Sequence, residues 1–235
     1  RIFYRTLDAE VYNGDYKVPI RLFFPTEEAM ENGAASGKKP PVILFFHGGG
    51  WVTESVENYQ RVCARMAQST GQIVASVEYR LAPEYRFPVG LMDCYAAAKA
   101  FYTNCFLLNT DSDRITIMGD SAGGNLAAAV CMMARDRGDF FPKKQILIYP
   151  ALNNCYTEDS PFESVKTNGT GYLLTAEKME DYLKLYESCP EDRNNPYFAP
   201  ILEKDLRNMP DTLILTAEFD PLRDEGEAFG ERLKA

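Results

Sequence analysis

Long apolar runs are missing from this 235-residue sequence. None approaches the roughly 20 residues that a membrane-spanning helix requires, and the first residues lack the basic-then-apolar pattern of a secretory signal. Basic charge is also scarce: 25 Lys and Arg stand against 34 Asp and Glu, a net charge of −9. Binding a phosphate backbone needs a basic face, so this balance argues against a nucleic-acid partner. The six cysteines, Cys63, Cys94, Cys105, Cys131, Cys155 and Cys189, include no C-x-x-C pair. That spacing offers no zinc site, and a chain this long does not need a disulfide framework; most of the six read as small buried hydrophobes. Internal repeats and low-complexity tracts are absent too. The expectation is an acidic cytoplasmic protein without a membrane span; a homo-oligomer is compatible with the composition but not indicated by it.

Of the residues present, 46% are hydrophobic, enough for one substantial core, and a single domain over residues 1–235 is expected. Residues 16–24 alternate partly and end at Pro25, an early strand, and residues 32–39 read as a loop. Residues 42–46 form a short, wholly apolar run, as in a parallel strand buried on both faces. Further strands are expected at residues 73–77, 114–118, 145–149 and 212–216. Between them lie helical patterns at 56–69, 88–102 with Pro88 at the start, 122–135 and 224–235. This alternation predicts a doubly wound, mostly parallel α/β sheet. Residues 151–200 break the rhythm. They hold one convincing helix, 175–186 with Thr175 as its N-cap, and read as a lid-like insertion.

Gly119-Asp120-Ser121-Ala122-Gly123 lies between an expected strand and an expected helix, the setting in which G-x-S-x-G raises a serine hydroxyl above a sheet. Glycines on both sides keep neighbouring side chains clear of the sharp turn. A bland alternative is that the turn merely caps the following helix. His47-Gly48-Gly49-Gly50-Trp51 follows the buried strand at the sheet edge where open parallel sheets bind ligands. Three consecutive glycines cost conformational entropy, and they make sense where main-chain N–H groups must approach an oxyanion. Such a loop can also be a bare turn or a phosphate cradle, although no Lys-Ser/Thr follows as in a P-loop.

With Tyr79-Arg80-Leu81-Ala82-Pro83-Glu84 and Asp220-Pro221-Leu222-Arg223-Asp224-Glu225-Gly226, these blocks resemble, in type and order, the hormone-sensitive-lipase-like esterases of the α/β-hydrolase fold. Weaker likenesses lie at residues 171–175 and 195–201, and the resemblance runs from about Tyr16 to the end. It implies a carboxylic ester hydrolase for short-chain acyl or acetyl esters, with a small-molecule ester substrate and no metal or cofactor. It assigns Ser121 as nucleophile, Gly49, Gly50 and Ala122 as oxyanion donors, and Asp220 as triad acid, with His47, Gly48, Gly119, Asp120 and Gly123 supporting. The bland alternative for Asp220 is a helix cap before Pro221, a role compatible with catalysis. Asp224 and Glu225 are expected to face solvent or form salt bridges, and Tyr79 to Glu84 to position neighbouring loops. Trp51, Tyr156, Phe162, Tyr172 and Leu173 are bulky enough to crowd the acyl pocket, or are ordinary packing.

One feature of the family is missing. His47 is the only histidine in the sequence, whereas the family's triad histidine lies on a loop beyond the next strand. That strand, its loop, a closing helix and the N-terminal cap helices find no counterpart here, so truncation at both ends is expected. Loss of the histidine from a triad costs roughly a millionfold in turnover, so these residues alone are expected to be inactive. The strand at 212–216 would then be a raw sheet edge prone to aggregation. The alternative is a catalytically dead ligand-binding protein, as in the plant gibberellin receptors, and a third is an interaction scaffold.

Overall fold

The chain alternates strand and helix because its short β-branched and aromatic runs bury two faces, while longer amphipathic or small-residue runs cover them. The computed structural model describes residues 5–32, 39–104, 108 and 110–234. Its strands are β1 (Thr6–Asn13), β2 (Tyr16–Phe23), β3 (Val42–Phe46), β4 (Ile73–Val77), β5 (Ile115–Asp120), β6 (Lys144–Ile148) and β7 (Asp211–Leu215). The helices are α1 (Glu27–Asn32), α2 (Val56–Thr70), α3 (Val89–Thr103), α4 (Ala122–Arg137), α5 (Glu163–Thr167), α6 (Ala176–Tyr186) and α7 (Arg223–Lys234).

One sheet runs in the order β1-β2-β4-β3-β5-β6-β7. β1 and β2 are antiparallel, β2 joins β4 antiparallel, and the remaining pairs are parallel. The fold is therefore the α/β-hydrolase type expected. Alternate residues of β3 serve opposite faces: Val42, Leu44 and Phe46 pack with residues of α3 and α4, whereas Ile43 and Phe45 pack with Val56, Cys63, Ala64 and Ala67 of α2. Parallel strands covered on both sides give such unbroken apolar runs. α4 is buried continuously from Ala122 to Ala134, and its Ala and Gly residues let it sit close against the sheet.

Ends match their sequence signals. Ser55 caps α2 by accepting from the Asn58 N–H at 3.1 Å, and Thr175 caps α6 by accepting from Lys178 at 3.2 Å, so an orphan amide is satisfied in each first turn. Gly71 closes α2 at φ 69°, a left-handed conformation that costs glycine nothing. Several expectations need correction. β1 had no predicted counterpart, because only Val11 of its eight residues is buried and an edge strand shows no two-sided pattern. Residues 151–200 contain α5 as well as α6. Cys63, Cys94 and Cys131 are buried, but Cys155 is half-buried and Cys189 exposed. Cys105, most of the expected 32–39 loop and Ala235 lie outside the described residues.

Both ends of the 151–200 segment meet α4. The side-chain amide of Asn125 donates to the carbonyls of Ala151 and Phe198, each at 2.8 Å, and the Ile201 N–H donates to the Leu152 carbonyl at 3.1 Å. At the opposite limit of the sheet, β7 has no partner on its outer side among the described residues, and its Leu213 and Leu215 are 52% and 46% exposed. No helix is long and apolar enough to cross a membrane among the described residues.

Candidate active site

β5 ends at Asp120 and α4 begins at Ala122, so Ser121 alone makes the turn. Its backbone sits at φ 54°, ψ −119°, a region that L-residues occupy only when the surroundings impose it. The surroundings do so here. The Ser121 N–H donates to the Ile148 carbonyl at 2.9 Å, and the Ser121 carbonyl accepts from Asn125 at 3.1 Å and Ala151 at 3.2 Å. Gly119 and Gly123 are required by close approach: a Cβ on Gly119 would lie 2.1 Å from the Gly123 carbonyl oxygen, and one on Gly123 would lie 2.0 Å from that of Phe46. The Ser121 side chain makes no capping bond to α4. The helix-cap reading of the motif therefore finds no support in the geometry, and among the described residues the hydroxyl of the half-buried Ser121 has no hydrogen-bond partner.

β3 lies beside β5, with Phe46 opposite Gly119, so the loop leaving β3 arrives next to Ser121. Gly49 and Gly50 adopt φ 109° and 60°. A Cβ on Gly49 would lie 2.3 Å from the Thr53 carbonyl oxygen, and one on Gly50 would lie 2.5 Å from the ring of Tyr182 on α6. The Gly49 carbonyl accepts from Val52 at 3.1 Å and Thr53 at 2.9 Å. Among the described residues no protein group accepts the N–H of Gly49 or Gly50. The N–H of Ala122 heads α4, where amides have no intrahelical acceptor. Among the described residues, three donors are thus unspent at this edge of the sheet.

His47 is wholly buried. Its Nδ1 donates to the Gly48 carbonyl at 2.7 Å, the Tyr79 hydroxyl donates to the His47 carbonyl at 2.7 Å, and the two rings stack with centroids 4.4 Å apart. Burial depresses its pKa below the ordinary imidazole range. The ring therefore serves the loop that carries it. Tyr79 to Glu84 does contact this loop: besides Tyr79, the Ala82 N–H donates to the Trp51 carbonyl at 2.9 Å. Arg80 pairs with the buried Asp93 at 2.8 Å.

The Asp120 carboxylate accepts from the Gly48 N–H at 3.0 Å and the Tyr59 hydroxyl at 2.8 Å. Burial raises its pKa, and those two donors pull it back. Asp220 lies on the turn after β7, two strands from Ser121, and its Oδ1 accepts from Leu222 at 2.9 Å. Burial raises its pKa as well. Asn168, just after α5, donates to the carbonyls of Glu218 and Asp220 at 3.1 and 3.3 Å, and the Ser164 hydroxyl donates to that of Pro221 at 2.8 Å. Neither residue carried a sequence signal for holding the acid turn. Tyr149, at φ 32°, immediately follows β6; burial raises its pKa, and the charges of Asp120 and Asp220 add to that shift. No Lys or Arg forms an ion pair with Asp120 or Asp220 among the described residues.

One expectation fails here. Glu225 neither faces solvent nor forms a salt bridge: it is fully buried, and its Oε1 accepts from the N–H groups of Leu152 at 2.7 Å and Asn153 at 3.2 Å and from the Tyr156 hydroxyl at 2.7 Å. The α7 turn aims it at the orphan amides after β6. Trp51 and Tyr156 are each only 2% exposed and pack inward, while Leu173 points out at 94% exposure. Among the described residues, no group of three or more His, Cys, Asp or Glu is placed to hold a metal ion.

A family model described as the alpha/beta hydrolase fold matches residues 43–235. An arylesterase of Saccharolobus solfataricus is 37% identical over 229 residues, 97% of this chain and 70% of that protein. An ethyl acetate hydrolase of Pseudomonas putida is 34% identical over 220 residues, 93% of this chain and 66% of that protein. Among solved structures, a hyperthermophilic esterase from the archaeon Pyrobaculum calidifontis superposes with a TM-score of 0.87 at 42% identity, covering 98% of this chain and 70% of that one. The chain thus spans 66–70% of the length of these three relatives.

Proposed function

The chain belongs to the alpha/beta hydrolase family, and from that premise we propose that it is the catalytic part of a carboxylic ester hydrolase with Ser121 as nucleophile. The observation that carries this reading is the strained Ser121, its hydroxyl uncommitted, beside three unspent amides. A binding pocket gains nothing from a serine held at φ 54°, whereas acyl transfer needs its hydroxyl raised and an oxyanion site preformed. Related proteins named for aryl ester and ethyl acetate hydrolysis support the same chemistry.

In the proposed cycle, a base takes the Ser121 proton as Oγ attacks the acyl carbon. The N–H groups of Gly49, Gly50 and Ala122 hold the tetrahedral oxyanion, and the alcohol leaves with the proton returned by the base. Water then releases the acid by the same steps. Asp220 orients the base, and short acyl or acetyl groups are the proposed substrates. The base in this cycle would be a histidine, and these 235 residues offer no free one: the single histidine, His47, donates Nδ1 to the Gly48 carbonyl. That same absence favours a second reading, a ligand-binding protein that retains the elbow as a relic.

Ser121→Ala in the full-length protein decides between them. Hydrolysis of p-nitrophenyl butyrate by the wild type and none by the variant supports the esterase. Turnover that survives the substitution, or a wild type that binds esters without hydrolysing them, overturns it.

A further inference from the structure

A single carboxylate joins the two loops of the site. Asp120 immediately precedes Ser121, and its Oδ1 accepts from Gly48, immediately before Gly49 and Gly50, at 3.0 Å. Its Oδ2 accepts from Tyr59 at 2.8 Å. Tyr59 belongs to no motif. It projects from the first turn of α2, whose start is fixed by the Ser55 cap at 3.1 Å and by Glu78, which accepts from the Val56 N–H at 2.8 Å. Its ring centroid lies 5.5 Å from that of His47 and 5.9 Å from that of Phe45, so the hydroxyl has a defined place. A Cβ on Gly48 would lie 2.7 Å from Asp120 Oδ2 and 3.1 Å from the Tyr59 oxygen. The glycine loop therefore rests directly on this pair of side chains.

We propose that Tyr59 is a positioning residue for ester hydrolysis: it fixes the Asp120 carboxylate, which holds the Gly48 amide and so aims the Gly49 and Gly50 N–H groups at the forming oxyanion. The inference rests on the esterase reading above. A carboxylate bonded through one oxygen can turn about its Cβ–Cγ bond, and one bonded through both cannot. Burial disfavours the charged form of Asp120 and the nearby Glu54 carboxylate adds to that cost; the Tyr59 and Gly48 donors offset it. Charge-assisted hydrogen bonds are roughly twice as strong as neutral ones, so the hydroxyl is well matched to this task. An interaction that shapes the oxyanion site stabilises the transition state and not the bound ester. Were Tyr59 only a core residue under α2, its loss would lower stability and leave the kinetics of the folded enzyme alone.

The test uses Tyr59→Phe in the full-length protein, which keeps the ring and removes only the hydroxyl. Turnover of p-nitrophenyl butyrate is measured alongside inhibition by a trifluoromethyl ketone, which serine converts to a tetrahedral oxyanion, and by the matching methyl ketone. The expected kcat is about tenfold lower with KM little changed, less than the roughly 10²–10³ lost with a whole oxyanion donor. The trifluoromethyl ketone should weaken by the same factor and the methyl ketone should not. Asp120→Ala removes both acceptors, breaks the link from its other side and should show the same selective loss; adding Tyr59→Phe to it should cost little more. Unchanged kcat and trifluoromethyl ketone binding in Tyr59→Phe overturn the inference, as do equal losses for both ketones. A wild type without esterase activity overturns the esterase reading itself, and an active wild type with an indifferent variant overturns only the role of Tyr59.

Discussion

Trp51 lies flat on Tyr186, with ring centroids 4.6 Å apart and planes 4° from parallel. Trp51 belongs to the glycine-rich loop and Tyr186 ends α6, so the stack pins the 151–200 segment to the loop beside Ser121. Phe198 and Phe87 close around Tyr186 at 5.1 and 5.7 Å. Tyr186→Ala should cost about 3–5 kcal/mol, the usual loss for a buried aromatic, and should also lower kcat by loosening the loop. Urea denaturation and ester turnover measure the two effects. A destabilised variant with full turnover would show that the loop keeps its shape without α6.

Gly49→Ala places a methyl group on the Thr53 carbonyl and forces a side chain into φ 109°. Turnover is expected to fall by at least 10²–10³-fold, the effect of losing one oxyanion donor, while circular dichroism stays native. An unaltered rate would reduce the loop to a structural turn.

Glu225 makes stability depend on pH. Burial raises its pKa from 4.5 to about 8, with the Leu152, Tyr156 and Asn153 donors opposing the shift. Below pH 4.5 the carboxyl is protonated in folded and unfolded chains alike, and its contribution is fully present. Between 4.5 and about 8 only the unfolded chain ionises, so stability falls as pH rises, by up to about 1.4 kcal/mol per unit; above 8 the loss is complete. Glu225→Gln keeps an acceptor for the three donors and cannot ionise. Denaturation midpoints of the two proteins should therefore diverge from pH 5 to pH 8, the variant gaining. Parallel curves would mean that Glu225 ionises normally in the folded protein.

Leu213 and Leu215 expose apolar surface on one face of β7, the strand that has no outer partner among the described residues. In the 235-residue chain, replacing both with Lys should slow self-association seen by light scattering, because charged edge strands pair poorly. An unchanged aggregation rate would place the sticky surface elsewhere.

Much of this arrangement is legible in the sequence because it rests on local pattern. β3 and β4 are apolar runs without a break, and the elbow and glycine loop need glycine for steric reasons that hold in any such turn. Other parts depend on what tertiary packing brings near. β1 buries only Val11 and so shows no alternation. Glu225 looks like a surface helix residue until β6 delivers two orphan amides to it. Tyr59 sits in an ordinary amphipathic helix, and nothing along the chain announces that α2 will set its hydroxyl against Asp120. Asn168 and Ser164 reach the acid turn only because α5 folds back on it.

Asn125 gathers both ends of the 151–200 segment with one amide group, so that roughly fifty residues leave and rejoin the body at neighbouring points. The segment is in effect a cassette. Its interior can lengthen or shorten without moving Ser121, provided that Ser164 and Asn168 still hold the Asp220 turn and an aromatic ring still meets Trp51. What the segment covers can then change while the turns that carry Ser121 and Asp220 stay in place.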